Sequence, residues 1–506
     1  MVRRNILLGI CILLPIAIYA QSLGNGFVTW DDGLLITENP IIRGLSLHNL
    51  WLAFTSYDPE LYIPLTFISY QINYAIGGLE PLGYHLGNLL LHIANVGFVY
   101  AISRRLMEAA SASRSGRSRS SATTGALAAL IFAVHPLHTE AVVWAAARKD
   151  VLSAFFFLLT VLCYLRSKEE INAKSKELRW YWISLSMFLL ALLSKVSVIT
   201  WPVLMVLMDW SRGEFVKTPQ VRTPAADALK RAVPFLILSL IFGIIALGGK
   251  IANTGFAYEK FLIGCRAVTL LLQKFLWPIH LSALYPFTKP VSFFTPELGF
   301  SVLFVFLVSV TVLFLAWRRG VKLPLFAWAW FLLLLVPSFS NITKGHNELL
   351  DIYVTSDRYA YLPSIGLLFV AGWLVTKLAE RLPKIVYPLF FFILCVFSVL
   401  SYRQSLFWKD TSTLFVHVSD VQPNSYVAWS NIGTEEVRRG RLHEGLQAYT
   451  KALQIRDDAT TWYNVGQILR AQGKIELAIQ AYERAVESSP LEEDAKRALE
   501  ELRMKN

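Results

Sequence analysis

Residues 6–40 read ILLGICILLPIAIYAQSLGNGFVTWDDGLLITENP. Ile6–Ala20 is an apolar run behind Arg3 and Arg4. It opens into a polar loop, Asn25–Pro40, that carries two adjacent acids, Asp31 and Asp32, after Trp30 and ahead of Asn39-Pro40. An apolar run behind basic residues suits a signal peptide or a signal anchor. No small-residue cleavage site follows, so the sequence predicts an anchor with the acidic loop on the far side of the membrane.

Comparable apolar runs recur along the chain. Of its 506 residues, 55% are hydrophobic, and runs of membrane-spanning length are foreign to a soluble domain. The sequence predicts spans at 5–22, 86–103, 123–135, 150–166, 180–194, 196–209, 232–249, 297–316, 324–338, 359–376 and 384–401. The net charge of +12 comes largely from basic loops. These are Arg3-Arg4, Arg104-Arg105 with the Ser/Arg-rich stretch 111–121, Arg166–Arg179, Arg212–Arg231, Arg318–Lys322 and Lys377–Lys384. The later basic loops each follow an even-numbered span, so all share one side with the N-terminus. The positive-inside rule makes that side cytoplasmic and excludes a nucleic-acid reading of the charge. The outer loops are then 23–85, 136–149, 250–296 and 339–358. Tyr62–Ile76 would break the parity and reads as a helix lying in the outer interface. Phe261–Pro278 carries Arg266 and Lys274 and reads as re-entrant or interfacial. Cys11, Cys163, Cys265 and Cys395 all sit in apolar runs without paired spacing, so neither disulfides nor a thiolate zinc site is expected.

From Pro423 the composition turns charged and Ala-rich, and the chain repeats itself at a shift of 33 residues: Trp429/Trp462, Asn431/Asn464, Gly433/Gly466, Gly440/Gly473, Ala448/Ala481, Tyr449/Tyr482 and Ala452/Ala485 coincide. Small residues where paired helices touch, a Gly in the turn and Pro490 after the second helix form the tetratricopeptide pattern, with Leu491–Leu502 as a capping helix. The expected fold is therefore all-α. It comprises a polytopic helical bundle (1–405, with the functional outer loop 23–85), a linker (406–422) and a short α-solenoid (423–506) that docks a protein or packs on the bundle.

Ionisable groups gather at the outer ends of the spans: Asp31/Asp32; His85, Asn88 and His92; His135, His138 and Glu140; Arg148-Lys149-Asp150; Lys195; Lys274 and His280; Lys344, His346 and Asp351; Asp357-Arg358. Outer cations run against the positive-inside bias, and such groups at a membrane boundary are costly unless paired or functional. Each also has an ordinary reading. Asp31 would cap a helix near Gly33. His85, Asn88 and His92, spaced i, i+3 and i+7, would be packed polar residues of one helix face. His135, His138 and Glu140 would hold a divalent metal such as zinc, or Pro136 simply starts a helix. Arg148-Lys149 would snorkel. Lys195, between two apolar runs, needs an anionic partner. One chemistry uses acids and cations together at an outer face: sugar transfer from a lipid-linked phosphate. Arg and Lys would hold the anionic leaving group, and an Asp would take the acceptor's proton. In an inverting displacement a single base suffices.

WDDGLLITENP, HPLHTEAVVWAAARKDVLSAFFFL and DRYAYLPSIGLL, followed by the repeats, resemble in this order the transmembrane-and-tetratricopeptide O-mannosyltransferases and their bacterial homologues. That family is similar to the protein O-mannosyltransferases of the GT-C glycosyltransferase superfamily. The resemblance implies an inverting transferase with about eleven spans. It would move a hexose such as mannose from a polyprenyl-phosphate donor to a hydroxyl, protein Ser/Thr, on the outer face. It implies Asp31 as general base with Asp32 orienting it. It makes Arg148, Lys195 and Arg358 donor-phosphate contacts and His85, His135, His138, Glu140 and Asp357 substrate-site candidates. No cofactor beyond the lipid-linked donor is implied with certainty, and a divalent metal would sit on His135, His138 and Glu140. The chain departs from the family at Lys195-Val196, where relatives often show Lys-Glu, and in its short array. These features point to a bacterial inner-membrane protein with a cytoplasmic N-terminus and periplasmic repeats, or endoplasmic-reticulum lumenal repeats in a eukaryote. The acceptor would be a protein or a glycan. A non-catalytic scaffold that recruits envelope proteins, and a polymerase or ligase of lipid-linked glycans, are the alternative readings.

Overall fold

Apolar segments of this length bury their backbone polar groups only as helices, and the computed structural model is built of them. The structure describes residues 2–57, 61–111, 118–169, 174–213, 224–249, 257–341, 343–344, 351–489 and 493–505. Residues 112–117 of the Ser/Arg-rich stretch, parts of the basic loops 166–179 and 212–231, His346 and Pro490 lie outside them, as do the side chains of Lys344 and Asp351. In chain order the helices are α1 Val2–Tyr19, α2 Leu47–Thr55, α3 Pro64–Gly77, α4 Pro81–Ser111, α5 Ser118–Val134, α6 Thr139–Val143, α7 Arg148–Glu169 and α8 Lys174–Ser194. Next come α9 Trp201–Ser211, α10 Pro224–Gly248, α11 Ala257–Leu276, α12 Pro296–Arg318, α13 Leu323–Leu335, α14 Ser364–Ala379 and α15 Pro383–Leu406. Six more complete the chain: α16 Thr411–Val421, α17 Tyr426–Arg438, α18 Leu442–Ile455, α19 Ala459–Ala471, α20 Ile475–Ser488 and α21 Glu493–Lys505. The β structure among the described residues is one antiparallel pair, Thr343–Lys344 with Asp351–Ile352.

Two compact units result: Met1–Leu281 with Lys289–Trp408, and Ser282–Thr288 with Lys409–Asn506. In the first, five described helices are long and apolar enough to cross a membrane: Pro81–Glu108, Ala145–Glu169, Ala225–Gly248, Pro296–Arg318 and Pro383–Leu406. A sixth is counted if Ser121–Val134 and Pro136–Val143, bent by 57°, form one span. The stretches 196–209, 324–338 and 359–376, expected to span, fall on or largely on shorter apolar helices. Bundle packing leaves no room for a side chain at Gly366 and Gly372, among other glycines. A Cβ on Gly366 would stand 2.4 Å from the Ala327 carbonyl oxygen, and one on Gly372 would stand 2.8 Å from that of Thr124.

α3 packs one face inward. Phe67, Tyr70 and Gln71 are buried while Ile76 is 82% exposed. Tyr70 donates to the Ala145 carbonyl and Thr66 to that of Ser194, which ties α3 to the turns beside α7 and α8. α11 covers Phe261–Leu276 and buries Lys274, whose Nζ donates to the carbonyls of Ile279 and His280. α11 therefore ends on its own basic residue, an arrangement that satisfies exposed C-terminal carbonyls of the following loop.

In the second unit, Asp410 caps α16 by accepting from Thr413 N, and Leu414, Phe415 and Val418 bury its inner face. The stretch read as a linker thus contains a packed helix. Helices α17 to α20 form two antiparallel pairs, and α21 packs on α20. Each pair closes on a Gly–Tyr contact. A Cβ on Gly433 would lie 2.6 Å from the Tyr449 ring, and one on Gly466 would lie 2.5 Å from that of Tyr482. Gly440 and Gly473 take φ of +77° and +74° in the turns, a conformation that glycine adopts without strain.

Candidate active site

The loop after α1 places its adjacent acids differently. Asp32 is 1% exposed. Its Oδ2 accepts from Val28 N and its Oδ1 from Ala146 N, both at 2.8 Å. The first bond closes the loop on itself, and the second ties it to the turn that begins α7. Burial pushes this carboxyl up to about 7, against the two amide bonds and Lys149, which favour the anion. Asp31 has a side chain 28% exposed, and its Oδ2 lies 3.3 Å from Lys149 Nζ. Neither acid serves as the helix cap that spacing allowed: the turn Gly33–Thr37 has no side-chain cap from Asp32, and Asp31 faces Lys149.

Further cations converge beside this pair. Lys195 meets Asp150 Oδ1 at 2.5 Å. The acid that Lys195 requires therefore comes from α7, 45 residues earlier, instead of from position 196. Arg358 pairs with Glu140 through its guanidinium, and its backbone N–H donates to the other Glu140 oxygen at 2.9 Å. Both side chains are buried, at 4% and 3% exposure. Arg358 also lies 5.0 Å from the ring centre of Trp144 and 5.6 Å from that of Trp30. These two rings stack on each other at 5.0 Å and 14°. A cavity beside the pairs is lined by Asp150, Lys195 and Arg358 and by apolar residues including Tyr62, Ala246 and Leu334. The site thus has a charged end and an apolar wall.

Arg148 is placed elsewhere. Its guanidinium donates to Asn88 Oδ1, to Asn73 Oδ1 at 3.1 Å and to the Tyr84 carbonyl at 2.6 Å, and it is 4% exposed. It braces α3, α4 and α7 together. Successive helix residues point about 100° apart, so Arg148 and Lys149 cannot both face one site. The sequence reading missed Lys149, treated as a snorkelling residue, and the stacked Trp30 and Trp144. The available signal was the basic-basic-acidic run at the head of an apolar helix.

The remaining candidates are buried connectors. His85, on α4, lies beside the backbone of Gly26 and Val143. His92 meets the Tyr361 hydroxyl at 2.8 Å, which ties α4 to the DRYAYLPSIG segment. His135 uses Nδ1 to accept from Leu137 N, and its Nε2 lies 3.0 Å from the Phe275 carbonyl. It is the N-cap of the turn opened by Pro136. His138 lies between the Phe132 carbonyl and Ser364 Oγ, at 2.8 and 2.9 Å. Asp357 is 3% exposed next to Arg358. With both ring nitrogens of His135 and His138 engaged and Glu140 held by Arg358, these residues do not fit a divalent ion. Among the described residues no three His, Cys, Asp or Glu side chains form a metal-binding group.

Fold and site together define a multi-pass helical membrane protein with a repeat tail and a paired-charge site at one end of its bundle. A tetratricopeptide-repeat family model matches residues 425–490. Human protein O-mannosyl-transferase TMTC4 is 35% identical over 197 residues, covering 37% of this chain and 26% of that protein. Human TMTC3 is 24% identical over 496 residues, covering 87% of this chain and 50% of that protein. Drosophila melanogaster Tmtc3 is 24% identical over 526 residues, covering 90% and 56%. The chain spans about half the length of the TMTC3 relatives. It is similar in sequence to these O-mannosyl-transferases, the family that its motifs resemble.

Proposed function

We propose that this chain is an integral-membrane inverting glycosyltransferase. It takes a hexose, mannose by likeness to its relatives' names, from a polyprenyl monophosphate and gives it to a protein Ser or Thr hydroxyl. The supporting observation is a partly exposed acid, Asp31, paired with Lys149, near a cavity lined by Lys195 and Arg358 whose other wall is apolar. A lipid-linked sugar phosphate needs these features together: cations for the phosphate, hydrocarbon for the lipid and a base for the acceptor.

In this reading the phosphate lies against Lys195 and Arg358, and the lipid follows the wall formed by Tyr62, Ala246 and Leu334. The acceptor oxygen attacks the sugar's anomeric carbon from the face opposite the phosphate. Its proton passes to Asp31. The carbon–oxygen bond to phosphate breaks with its electron pair leaving on the phosphate, whose charge the two cations stabilise. Asp32, held by two amides, keeps the loop and hence Asp31 in register with α7. Trp30 and Trp144 orient Arg358 through their ring faces.

In the complete topology we propose, eleven crossings put the N-terminus in the cytoplasm and the site and repeats on the outer face. That face is periplasmic in a bacterium and lumenal in a eukaryote. The repeats bind the acceptor protein. Purified full-length protein given polyprenyl-phosphate mannose and an acceptor peptide tests the reading. Mass spectrometry is expected to find one added hexose on a Ser or Thr, and no added hexose under conditions where the donor is intact would overturn it.

A further inference from the structure

Lys195 and Arg358 line one cavity, and each is held by its own acid, Asp150 of α7 and Glu140 of α6. These pairs fix each cation to a different helix. They do not by themselves fix the cations to each other, and a ring does. The centre of the Tyr359 ring lies 5.3 Å from Lys195 Nζ and 4.8 Å from the Arg358 guanidinium carbon. Its hydroxyl oxygen lies 3.5 Å from a terminal nitrogen of Arg358. At such ring distances the negative face of an aromatic attracts a cation. Tyr359 is half-buried and lines the cavity with both cations. The pattern continues away from the cavity. Arg358 also lies against Trp144, and Lys149 Nζ is 5.3 Å from the centre of that ring. Lys149, Trp144, Arg358, Tyr359 and Lys195 thus form a series in which successive cations share a ring.

The acids do not exhaust these cations. An ammonium has three N–H donors and a guanidinium five. Asp150 takes one donor of Lys195, Glu140 takes a terminal N–H of Arg358, and Arg358 Nε has no hydrogen-bond partner among the described residues. A phosphate can therefore accept from both cations while both ion pairs stay closed. Such a bridge demands the right spacing, because one phosphate carries its oxygens on one small tetrahedron. We propose that Tyr359 is a positioning residue for the donor phosphate, its ring being the shared platform that sets the spacing of Lys195 and Arg358. The inference rests on the transfer reading above and adds a residue to it. No bond is made or broken at the platform. The ring acts by electrostatic attraction, so its hold weakens as electron density is drawn from its face.

That dependence is the test. Phenylalanine and its mono-, di- and trifluoro analogues are placed at position 359 of the full-length protein in detergent, and binding of farnesyl monophosphate is titrated. Fluorine draws density from the ring with little change in size. Tyr359→Phe, which keeps the ring, is expected to bind within about twofold of wild type, and affinity is expected to fall stepwise along the series by about 5- to 20-fold, the size of a lost cation–ring attraction. Melting temperature should hold steady across the series. A role in packing alone predicts an affinity that is flat from phenylalanine to its trifluoro analogue, and that result overturns the platform. A loss already complete in a well-folded Tyr359→Phe protein overturns it too, because it assigns the effect to the hydroxyl. Failure of the underlying reading looks different: wild-type protein then does not bind farnesyl monophosphate at all.

Discussion

Helix α7 carries a buried ion pair at each end, and the two ends differ in what surrounds them. Near its C-terminal end, Asp209 of α9 is 1% exposed and receives Lys168 at 3.0 Å and the Tyr164 hydroxyl at 2.7 Å. At its N-terminal end, about 28 Å away by helical rise, Lys149 and Asp150 pair with groups from the first loop and from the end of α8. There the Lys195–Asp150 pair lines a cavity, and the acid that meets Lys149 has a side chain 28% exposed. Burial of a charge pair alone is thus a packing statement. The opening beside it, and an acid that solvent and substrate can reach, make it a candidate for chemistry.

The strongest way to break this contrast is to disable each end in turn. Arg358→Met removes the proposed phosphate contact and leaves Glu140 buried without its cation, so mannosyl transfer is expected to fall by about 10²- to 10³-fold. Asp209→Asn is expected to lower stability by about 3 kcal/mol, the size of a broken buried pair. The kcat of the protein that remains folded should stay near wild type. Thermal unfolding followed by fluorescence, alongside initial rates at matched folded concentration, separates these effects. A large kcat loss in Asp209→Asn would erase the distinction between the two ends.

A smaller effect is expected from the repeats. Gly466→Ala puts a methyl group 2.5 Å from the Tyr482 ring and is expected to destabilise that hairpin by about 1–3 kcal/mol. Transfer to a whole acceptor protein should drop, while transfer to a short peptide should not. Comparison of the two acceptors in one assay checks it.

The smallest effect is a pH dependence. Folding raises the Asp32 carboxyl from 3.8 to about 7 because burial disfavours its charge. The folded protein therefore keeps a proton that the unfolded chain gives up. The stability contributed by this group is full below the unfolded value and is lost as pH rises to about 7. Wild type is expected to lose a few degrees of melting temperature between pH 5 and pH 7.5, and Asp32→Asn to lose less. Equal slopes in the two proteins would count against it.

Much of the fold was legible because it rests on local pattern. Apolar runs become helices wherever they fall, and the 33-residue shift exposed the repeats through the Gly–Tyr contacts at 433/449 and 466/482. Span count was less legible: 359–376 is apolar in sequence, yet it falls largely on the shorter apolar helix Ser364–Ala379. Within the site, Asp31 and Arg358 stood out as polar groups in unusual places. The roles of Arg148 and Lys149 did not. Both are basic, adjacent and at the head of one helix, and only the packing of Asn88 and Asn73 from α4 and α3 decides which is consumed as a brace. The partner of Lys195 was hidden for the same reason, since Asp150 reaches it through tertiary contact.

The central claim is that Asp31 accepts the acceptor hydroxyl's proton. It is tested most directly by single-turnover transfer from polyprenyl-phosphate mannose to an acceptor peptide, comparing wild type with Asp31→Asn in full-length protein. The expected result is a rate lower by about 10²- to 10⁴-fold, as for loss of a general base, with donor binding intact. Transfer by Asp31→Asn at the wild-type rate would contradict it.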